Sequence, residues 1–136
     1  YVRGVGFCVK KKDRRGGMQM LSAELLSFIV GNLIIKNMVD RLRPCQIDET
    51  VSLIVKIPFD SSFPSGHTLN GITAAVTLMF IDKRMGIPAI VLAVLIAFSR
   101  MYNFMHFPTD IVAGAVLGVV SAVFVNFLFK RAGNKQ

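Results

Sequence analysis

Four long apolar segments, separated by short polar ones, dominate the hydropathy pattern of the chain. They run from about Met18 to Ile35, Ser65 to Ile81, Met85 to Tyr102 and Ile111 to Phe129. Each comes close to the ~20 residues with which a helix crosses a ~30 Å hydrocarbon core, and the second is the shortest. A soluble protein can bury one such helix, but too little polar chain remains here to cover four. The pattern therefore predicts an all-α, integral-membrane helical bundle with about four transmembrane helices, formed as a single domain by residues 1–136.

Three details of the sequence bear on how these helices pack. Gly114 and Gly118 have the spacing that lets two helix backbones approach closely, within one chain or between chains, so the oligomeric state is left open. Glu24 interrupts the first segment, where an ionisable group costs roughly 2.5 kcal/mol or more, so we expect it to face the bundle or a polar cavity. The run Val51–Ile57 is too short to span, and we expect it to lie along the interface or to cap the bundle.

Charge is separated from the apolar segments and predicts an orientation. The chain is 53% hydrophobic with a mean hydropathy of +0.56, yet its net charge is +8. Eleven of the 16 basic residues lie at the termini or between the second and third segments. The positive-inside rule therefore places both termini in the cytoplasm and residues 36–64 and 100–110 outside. Such a chain is expected to meet the anionic bilayer surface and no nucleic acid, because no basic stripe interleaved with aromatic residues is visible.

Polar residues that could take part in catalysis or ligand binding gather in three clusters at the predicted outer face. They are Lys36 with Arg43-Pro44, then Pro64-Ser65-Gly66-His67, and then Ser99-Arg100 with His106 and Asp110. Taken singly, the cations can be interfacial anchors, Ser65 a helix cap, and Asp110 a carboxylate that favours a helix dipole. The predicted topology, however, brings all three clusters, and both histidines of the chain, to one face of the membrane.

Together these residue types suit the hydrolysis of a phosphate ester. Lys36, Arg43 and Arg100 supply three cations for an anionic group, and an arginine fork can hold two of its oxygens. The Ser65 hydroxyl and the Gly66 backbone N–H lie at a predicted helix start, which favours anions.

A nucleophile and a proton donor complete this chemistry. His106 and Asp110 are four residues apart, so on a helical turn the carboxylate can accept from one ring N–H and fix the tautomer. His67 is then placed to protonate the leaving oxygen. No carboxylate or Cys/His set has metal-ligand spacing, Cys8 and Cys45 included, so we expect no metal and no cofactor.

The same residues reproduce a known tripartite signature, K-x6-RP, then PSGH, then SR-x5-H-x3-D. It occupies Lys36 to Pro44, Pro64 to His67, and Ser99 to Asp110, so the matched core is 36–110. On these positions the chain resembles the superfamily of type 2 phosphatidate phosphatases and vanadium haloperoxidases, in its membrane lipid phosphatase branch.

The resemblance carries expectations about mechanism and substrate. It implies a phosphohistidine intermediate on His106, oriented by Asp110, and His67 as the proton donor to the leaving group. It implies phosphate binding by the remaining motif residues, which are Lys36, Arg43, Ser65, Gly66 and Arg100. It also implies metal-independent action on a lipid phosphate at the bilayer. Membrane members carry further helices before this point, so Tyr1–Val9 resembles the stub of one, and the chain is either a minimal member or truncated.

Two alternatives and one open question accompany this interpretation. A vanadate-dependent haloperoxidase is disfavoured, because that branch is largely soluble. A non-catalytic membrane protein that binds or transports lipid phosphates would keep the cations, yet it would not need His67, His106 and Asp110 together. Among substrates, the outward-facing site favours undecaprenyl diphosphate, while phosphatidylglycerol phosphate and phosphatidate stay open.

Overall fold

A computed structural model describes residues 11–47 and 60–133 of the chain, and every regular element in these ranges is a helix. Helix α1, Lys11–Ser27, continues without a break through a π-helical stretch, Phe28–Ile35, into α2, Lys36–Val39. A single turn, α3, spans Pro44–Ile47. The three remaining helices are α4 at Gly66–Ile81, α5 at Lys83–Tyr102 and α6 at Pro108–Gly133. The predicted interfacial run Val51–Ile57 and the stub Tyr1–Val9 lie outside the described residues.

The predicted helical bundle is confirmed, with each of the four apolar segments forming a helix. Three helical stretches are long and apolar enough to cross a bilayer, namely Arg14–Ile47, Lys83–Tyr102 and Pro108–Gly133. Helix α4 is apolar but has only 16 residues, or about 24 Å at 1.5 Å per residue. It is therefore shorter than the ~30 Å hydrocarbon core. The prediction of about four membrane crossings stays a prediction for this helix.

The ends of two helices explain the turns that follow them. Helix α2 ends where Asp40 takes a left-handed conformation, at φ 41° and ψ 49°, a region that Asp and Asn enter more easily than most residues. Asp82 alone separates α4 from α5, and its side chain accepts a hydrogen bond from the Arg84 N–H at 2.9 Å. This one-residue connection makes α4 and α5 antiparallel neighbours.

Helix α4 lies at the centre of the bundle and packs against α1, α5 and α6. A Cβ atom on Gly114 would lie 2.8 Å from the Ser65 carbonyl oxygen, and one on Gly118 would lie 2.7 Å from that of Leu69. Helix α6 can approach α4 this closely only because both positions lack a side chain. The glycine pair therefore packs within the chain, and it fixes α6 against the start of α4.

Polar side chains are buried in this bundle and large apolar ones are exposed on it. Thr68, Thr73 and Thr77 of α4 are at most 1% exposed, whereas Val91 and Phe98 of α5 are more than half exposed. This inside-out distribution fits a helix bundle whose outer surface faces lipid. Glu24 is half-buried with Oε1 shielded from solvent, in accord with the prediction that it faces the bundle.

Candidate active site

A cavity of about 830 Å³ opens where the end of α1–α2 meets the start of α4 and the end of α5. Six of the predicted site residues line it: Lys36, Arg43, Gly66, His67, Arg100 and His106. Phe28, Leu33, Ile96 and Met105 add apolar surface to the same cavity. Residues up to 78 positions apart in the sequence, Phe28 and His106, are thus brought around one space with a polar end and an apolar wall.

The polar end of the cavity is formed by three cationic side chains. Lys36 forms an ion pair with Asp60, and Arg43 Nη2 donates to Asp60 Oδ1 at 2.7 Å. The Nε–H of Arg100 is buried and has no hydrogen-bond partner among the described residues. A buried unpaired donor costs about 1–3 kcal/mol, so Arg100 supplies a donor that an anionic ligand in the cavity can satisfy.

Asp60 is a carboxylate that the sequence analysis did not single out. Partial burial raises the pKa of Asp60, but hydrogen bonds and charges from Lys36 and Arg43 outweigh it, and the pKa ends below its ordinary value. Asp60 is therefore ionised at neutral pH and neutralises part of the positive charge. A phosphate group entering the cavity must compete with this carboxylate for the two cations.

His106 lies on a constrained turn between α5 and α6. Phe104 has a positive φ of 54°, which costs a bulky residue about 1–3 kcal/mol unless its surroundings hold it there. The Phe104 carbonyl accepts from the Cys45 N–H at 3.0 Å, and the Met105 carbonyl accepts from Arg43 Nη1, also at 3.0 Å. These bonds to the segment after α2 hold the turn and aim His106 at the cavity.

The two nitrogens of the His106 ring have different partners. Nδ1 lies 2.8 Å from the Ser62 carbonyl oxygen, and Nε2 lies 3.2 Å from Arg43 Nη1. Because a carbonyl only accepts, Nδ1 carries the proton and Nε2 keeps its lone pair. Burial lowers the pKa of His106 most, Arg43 lowers it further, and Ser62 and Asp110 oppose them, which leaves a pKa of about 4. The ring is therefore neutral at neutral pH, with a lone pair on Nε2.

Asp110 lies behind His106 and outside the cavity lining. Its Oδ2 is 3.7 Å from His106 Nδ1, which is too long for a hydrogen bond. Oδ2 instead accepts from Ser62 Oγ at 2.5 Å and from the Phe107 N–H at 2.8 Å. The expected direct bond from the ring N–H to Asp110 is thus absent between these described residues, and the Ser62 carbonyl takes its place because it lies closer to Nδ1.

The two ends of the PSGH segment differ in their exposure. Gly66 begins α4 at the cavity, and the ring of His67 is exposed to the same space. Ser65 is fully buried, and its hydroxyl accepts from Thr68 Oγ1 at 3.0 Å. Its predicted contact with phosphate is therefore not seen in the lining of the cavity, and phosphate binding by Ser65 stays a prediction.

Comparison with known proteins places this geometry in a family. The profile of the PAP2 superfamily matches residues 16–133. The chain belongs to the PAP2 superfamily. It is 36% identical over 109 residues to an undecaprenyl-diphosphatase of Sulfolobus acidocaldarius, which covers 79% of this chain and 52% of that relative. Phosphatidylglycerophosphatase B of Bacillus subtilis is 31% identical over 100 residues, or 65% of this chain and 46% of that protein.

A solved PAP2 structure has a similar fold. The transmembrane PAP2-type phosphatidylglycerolphosphate phosphatase from Bacillus subtilis matches with a TM-score of 0.70 at 28% identity. The match covers 85% of this chain and 59% of that structure. The chain spans about half the length of the curated relatives it matches.

Three residues of this PAP2 site, Arg41, Asp60 and Ser62, are not fixed positions of the tripartite signature. Arg41 forms an ion pair with Asp110. Asp60 forms ion pairs with Lys36 and Arg43. Ser62 contacts His106 through its carbonyl and Asp110 through its hydroxyl. The one available signal was position on the predicted outer side, since Arg41 lies within the first signature segment and Asp60 and Ser62 lie just before the second.

The residues of the site offer cations rather than metal ligands. Among the residues that the structure describes, no three His, Cys, Asp or Glu side chains are grouped so that they could hold a metal ion. Cys45 is a buried free thiol, and its backbone N–H holds the turn before His106. Positive charge for an anionic ligand comes from Lys36, Arg43 and Arg100.

Proposed function

We propose that the chain is a membrane phosphatase that hydrolyses a lipid phosphate or diphosphate through a phosphohistidine intermediate on His106. One observation supports this most strongly. His106, whose Nε2 is unprotonated and lies 3.2 Å from Arg43 Nη1, lines a cavity that also presents Lys36, Arg43 and Arg100. A nucleophile beside three cations suits attack on a phosphoryl group, where catalysis depends on positioning and on stabilising negative charge.

The first step forms a covalent intermediate. Phosphate enters the cavity, and Arg43 moves its donor from His106 Nε2 to a phosphate oxygen. Nε2 attacks phosphorus and forms the N–P bond while the P–O bond to the leaving group breaks. His67, in its protonated form, delivers a proton to the leaving oxygen. Throughout this step the proton stays on His106 Nδ1, which keeps donating its hydrogen bond to the Ser62 carbonyl oxygen.

The second step returns the enzyme to its starting state. Neutral His67 takes a proton from a water molecule, which attacks phosphorus on the side that the leaving group has vacated. The N–P bond breaks, inorganic phosphate is released, and His106 Nε2 regains its lone pair. Lys36, Arg43 and Arg100 stabilise the charge of both transition states, and we infer that the reaction requires no metal.

The favoured substrate is undecaprenyl diphosphate. The apolar wall formed by Phe28, Leu33 and Ile96 suits the first part of a lipid chain, and the Sulfolobus relative is named an undecaprenyl-diphosphatase. The similar solved structure is named a phosphatidylglycerolphosphate phosphatase. Phosphatidylglycerol phosphate and phosphatidate are therefore the competing substrates to test.

The cavity and the basic end of the bundle suggest an orientation. Arg15 donates to the Phe129 carbonyl, so the start of α1 and the end of α6 lie together, at the end opposite the cavity. Lys83, Arg84 and Lys130 belong to the same end. By the positive-inside rule we propose a multi-pass protein with both termini in the cytoplasm and the active site on the outer face.

Phosphate release by the detergent-purified chain, with EDTA present, tests this function. The substrates are undecaprenyl diphosphate, phosphatidylglycerol phosphate and phosphatidate, and His106→Ala and His67→Ala are assayed in parallel. We expect metal-free release that His106→Ala abolishes for every substrate. His67→Ala should retain attack on an aryl phosphate, whose leaving group needs no proton, and should accumulate an acid-labile phosphoenzyme.

The outcomes separate the two functions considered for this chain. Turnover by His106→Ala at the wild-type rate would exclude the phosphohistidine mechanism. Tight binding of all three lipids by the wild type without any turnover would favour a lipid-phosphate-binding protein instead. The substrate with the largest kcat/KM identifies the lipid.

A further inference from the structure

The buried carboxylate of Asp110 has more partners than an orienting role toward one imidazole requires. Oδ1 accepts from Arg41 Nη1 at 2.8 Å, and Oδ2 accepts from Ser62 Oγ at 2.5 Å and from the Phe107 N–H at 2.8 Å. The side chain is 0% exposed. Burial of a carboxylate is costly unless it is paired and hydrogen-bonded, and Arg41 supplies the only charged partner seen among the described residues.

Arg41 is tied to this region by its backbone as well as by its side chain. Its carbonyl accepts from the Ser62 N–H at 2.8 Å, and its N–H donates to Ser61 Oγ at 2.9 Å. Its Nη1 also donates to Thr109 Oγ1 at 2.8 Å, and its guanidinium stacks on the Phe107 ring at 4.0 Å. Arg41 therefore joins the segment after α2 and the Ser61–Ser62 segment to the first turn of α6.

Ser62 connects the carboxylate to the His106 ring. Its hydroxyl donates to Asp110 Oδ2, and its carbonyl accepts the Nδ1 proton of His106 at 2.8 Å. A peptide carbonyl holds a ring in place only as firmly as its own residue is held. The bonds from Ser62 to Asp110 and to Arg41 provide that support.

We propose that Arg41 and Ser62 are positioning residues in one series of contacts, Arg41–Asp110–Ser62–His106. Arg41 acts on His106 through Asp110 and Ser62, and Ser62 holds the ring directly. This inference rests on the proposed function for its catalytic consequence, but not for the arrangement itself. Neither Arg41 nor Ser62 lines the cavity, so we assign them a role in positioning rather than in phosphate binding. Asp110 reaches the ring of His106 through Ser62, and Arg41 fixes Asp110 and balances its charge.

Kinetics of Arg41→Gln, Arg41→Lys and Ser62→Ala provide the first test. We expect kcat to fall about tenfold to a hundredfold in Arg41→Gln and Ser62→Ala, with KM within about threefold of the wild type. Arg41→Lys keeps the charge but loses the planar guanidinium that stacks on Phe107 while its Nη1 donates to Thr109 and Asp110, so we expect it to recover only part of the loss. A rise in KM at unchanged kcat would show that Arg41 binds substrate and would overturn the proposal.

A matched control and a double-mutant cycle keep a loss of folding distinct from a loss of positioning. Arg131 stacks on Phe127 at 4.8 Å in the same way, but at the end of α6 far from the cavity. Arg131→Gln should therefore retain wild-type kinetics. In an Asp110→Asn background, Arg41→Gln should lower kcat by less than about twofold more, because residues of one network are not additive. Full additivity would overturn the proposal.

A nuclear magnetic resonance titration tests the arrangement without any turnover. The chain has 2 histidines, so His67→Asn leaves the ring of His106 as the only imidazole signal. The charges that face this ring are those of Arg43, Lys36 and Asp110. Without Arg41 the carboxylate of Asp110 is unbalanced, so Arg41→Gln should raise the pKa of His106 by about one unit.

The titration and the kinetics can contradict different proposals. Arg131→Gln should leave the titration of His106 unchanged, and an unchanged titration in Arg41→Gln would contradict the proposed network. Absence of phosphatase activity in the wild type would instead contradict the proposed function, and the titration would still test the network.

Discussion

Asp60 and Asp110 are each paired with an arginine near the same cavity, but their surroundings differ. The Asp60 side chain is 51% exposed and shares its carboxylate between Lys36 and Arg43. The Asp110 side chain is 0% exposed and pairs with Arg41 on the far side of His106 from the cavity. Water and a phosphate group can reach the first carboxylate, whereas protein encloses the second.

The difference in exposure assigns the two carboxylates different tasks. The Asp60 carboxylate is half exposed, although Lys36 and Arg43 are largely buried, so water can solvate it when another anion replaces it. The Asp110 carboxylate is buried, although Arg41 is partly exposed. Leaving a buried carboxylate without its charged partner costs about 3–5 kcal/mol, so this pair persists. We infer that phosphate can displace Asp60 from the cations, while Asp110 keeps His106 in place during turnover.

Asp110→Asn tests the buried half of this comparison and should have the largest effect. An amide has one acceptor oxygen, so it cannot satisfy Arg41, Ser62 Oγ and the Phe107 N–H together. We expect kcat to fall about a hundredfold or more. The free energy of unfolding should fall by about 1–3 kcal/mol, because a buried donor loses its acceptor while the partly exposed Arg41 stays solvated. Phosphate release and thermal unfolding in detergent measure the two effects.

Asp82→Asn is a suitable control for the change of a carboxylate to an amide. Asp82 caps α5 at an exposed position away from the cavity. Asparagine caps a helix nearly as well as aspartate, so we expect wild-type kcat and stability. If Asp110→Asn behaved like Asp82→Asn, the buried network would have no role in positioning His106.

Sequence reasoning predicted the helices and much of the site because both depend on local patterns. Apolar runs of the right length became helices, and the signature residues Lys36, Arg43, His67, Arg100 and His106 line one cavity. Topology alone brings these residues together, since the ends of successive helices meet at one side of the bundle.

The remaining contacts depend on tertiary distances that a sequence does not encode directly. The spacing of His106 and Asp110 predicted a direct bond. The Ser62 carbonyl oxygen, however, lies 2.8 Å from His106 Nδ1, whereas Asp110 Oδ2 lies 3.7 Å from it. Any residue type supplies a backbone carbonyl, so no residue identity marked this contact. Likewise, the close packing of α6 against the start of α4 buries Ser65, which a motif cannot show.

Titration of His106 sharpens the comparison, because this ring lies between the two carboxylates. Burial and Arg43 lower the pKa of His106 from 6.5 to about 4, which shifts the ratio of neutral to protonated ring by a few hundredfold. A group with a lowered pKa stays neutral as the pH falls through 6.5 and gains its proton only near pH 4. In the His67→Asn variant we expect a single midpoint near this value.

Arg43→Met separates the two causes of the lowered pKa. Removal of the positive charge beside Nε2 should raise the midpoint of His106, while burial should still hold it below the ordinary value. If the midpoint of His106 were 6.5 in the protein that retains Arg43, the ring would be exposed to solvent. The nucleophile would then be largely neutral at neutral pH for reasons unrelated to the buried network.

Asp60→Asn tests the exposed half of the comparison and should have the smallest effect. Lys36 and Arg43 would lose a charged partner, so phosphate should bind them more tightly. We expect KM and the inhibition constant of inorganic phosphate to fall about threefold, and kcat to change little. Because the pKa of Asp60 lies below its ordinary value, the carboxylate is ionised over the neutral range, and the effect should not vary with pH there.

Asp40→Asn controls for the loss of one negative charge near the cavity. Asp40 is exposed and left-handed at the end of α2, a conformation that asparagine adopts equally well. Screening by salt should reduce the effect of Asp60→Asn, because the carboxylate is half exposed to solvent. A tenfold rise of KM in Asp60→Asn, with Asp40→Asn unchanged, would mean that Asp60 positions the cations rather than competing for them. The two carboxylates would then share the supporting role that we assign to Asp110 alone.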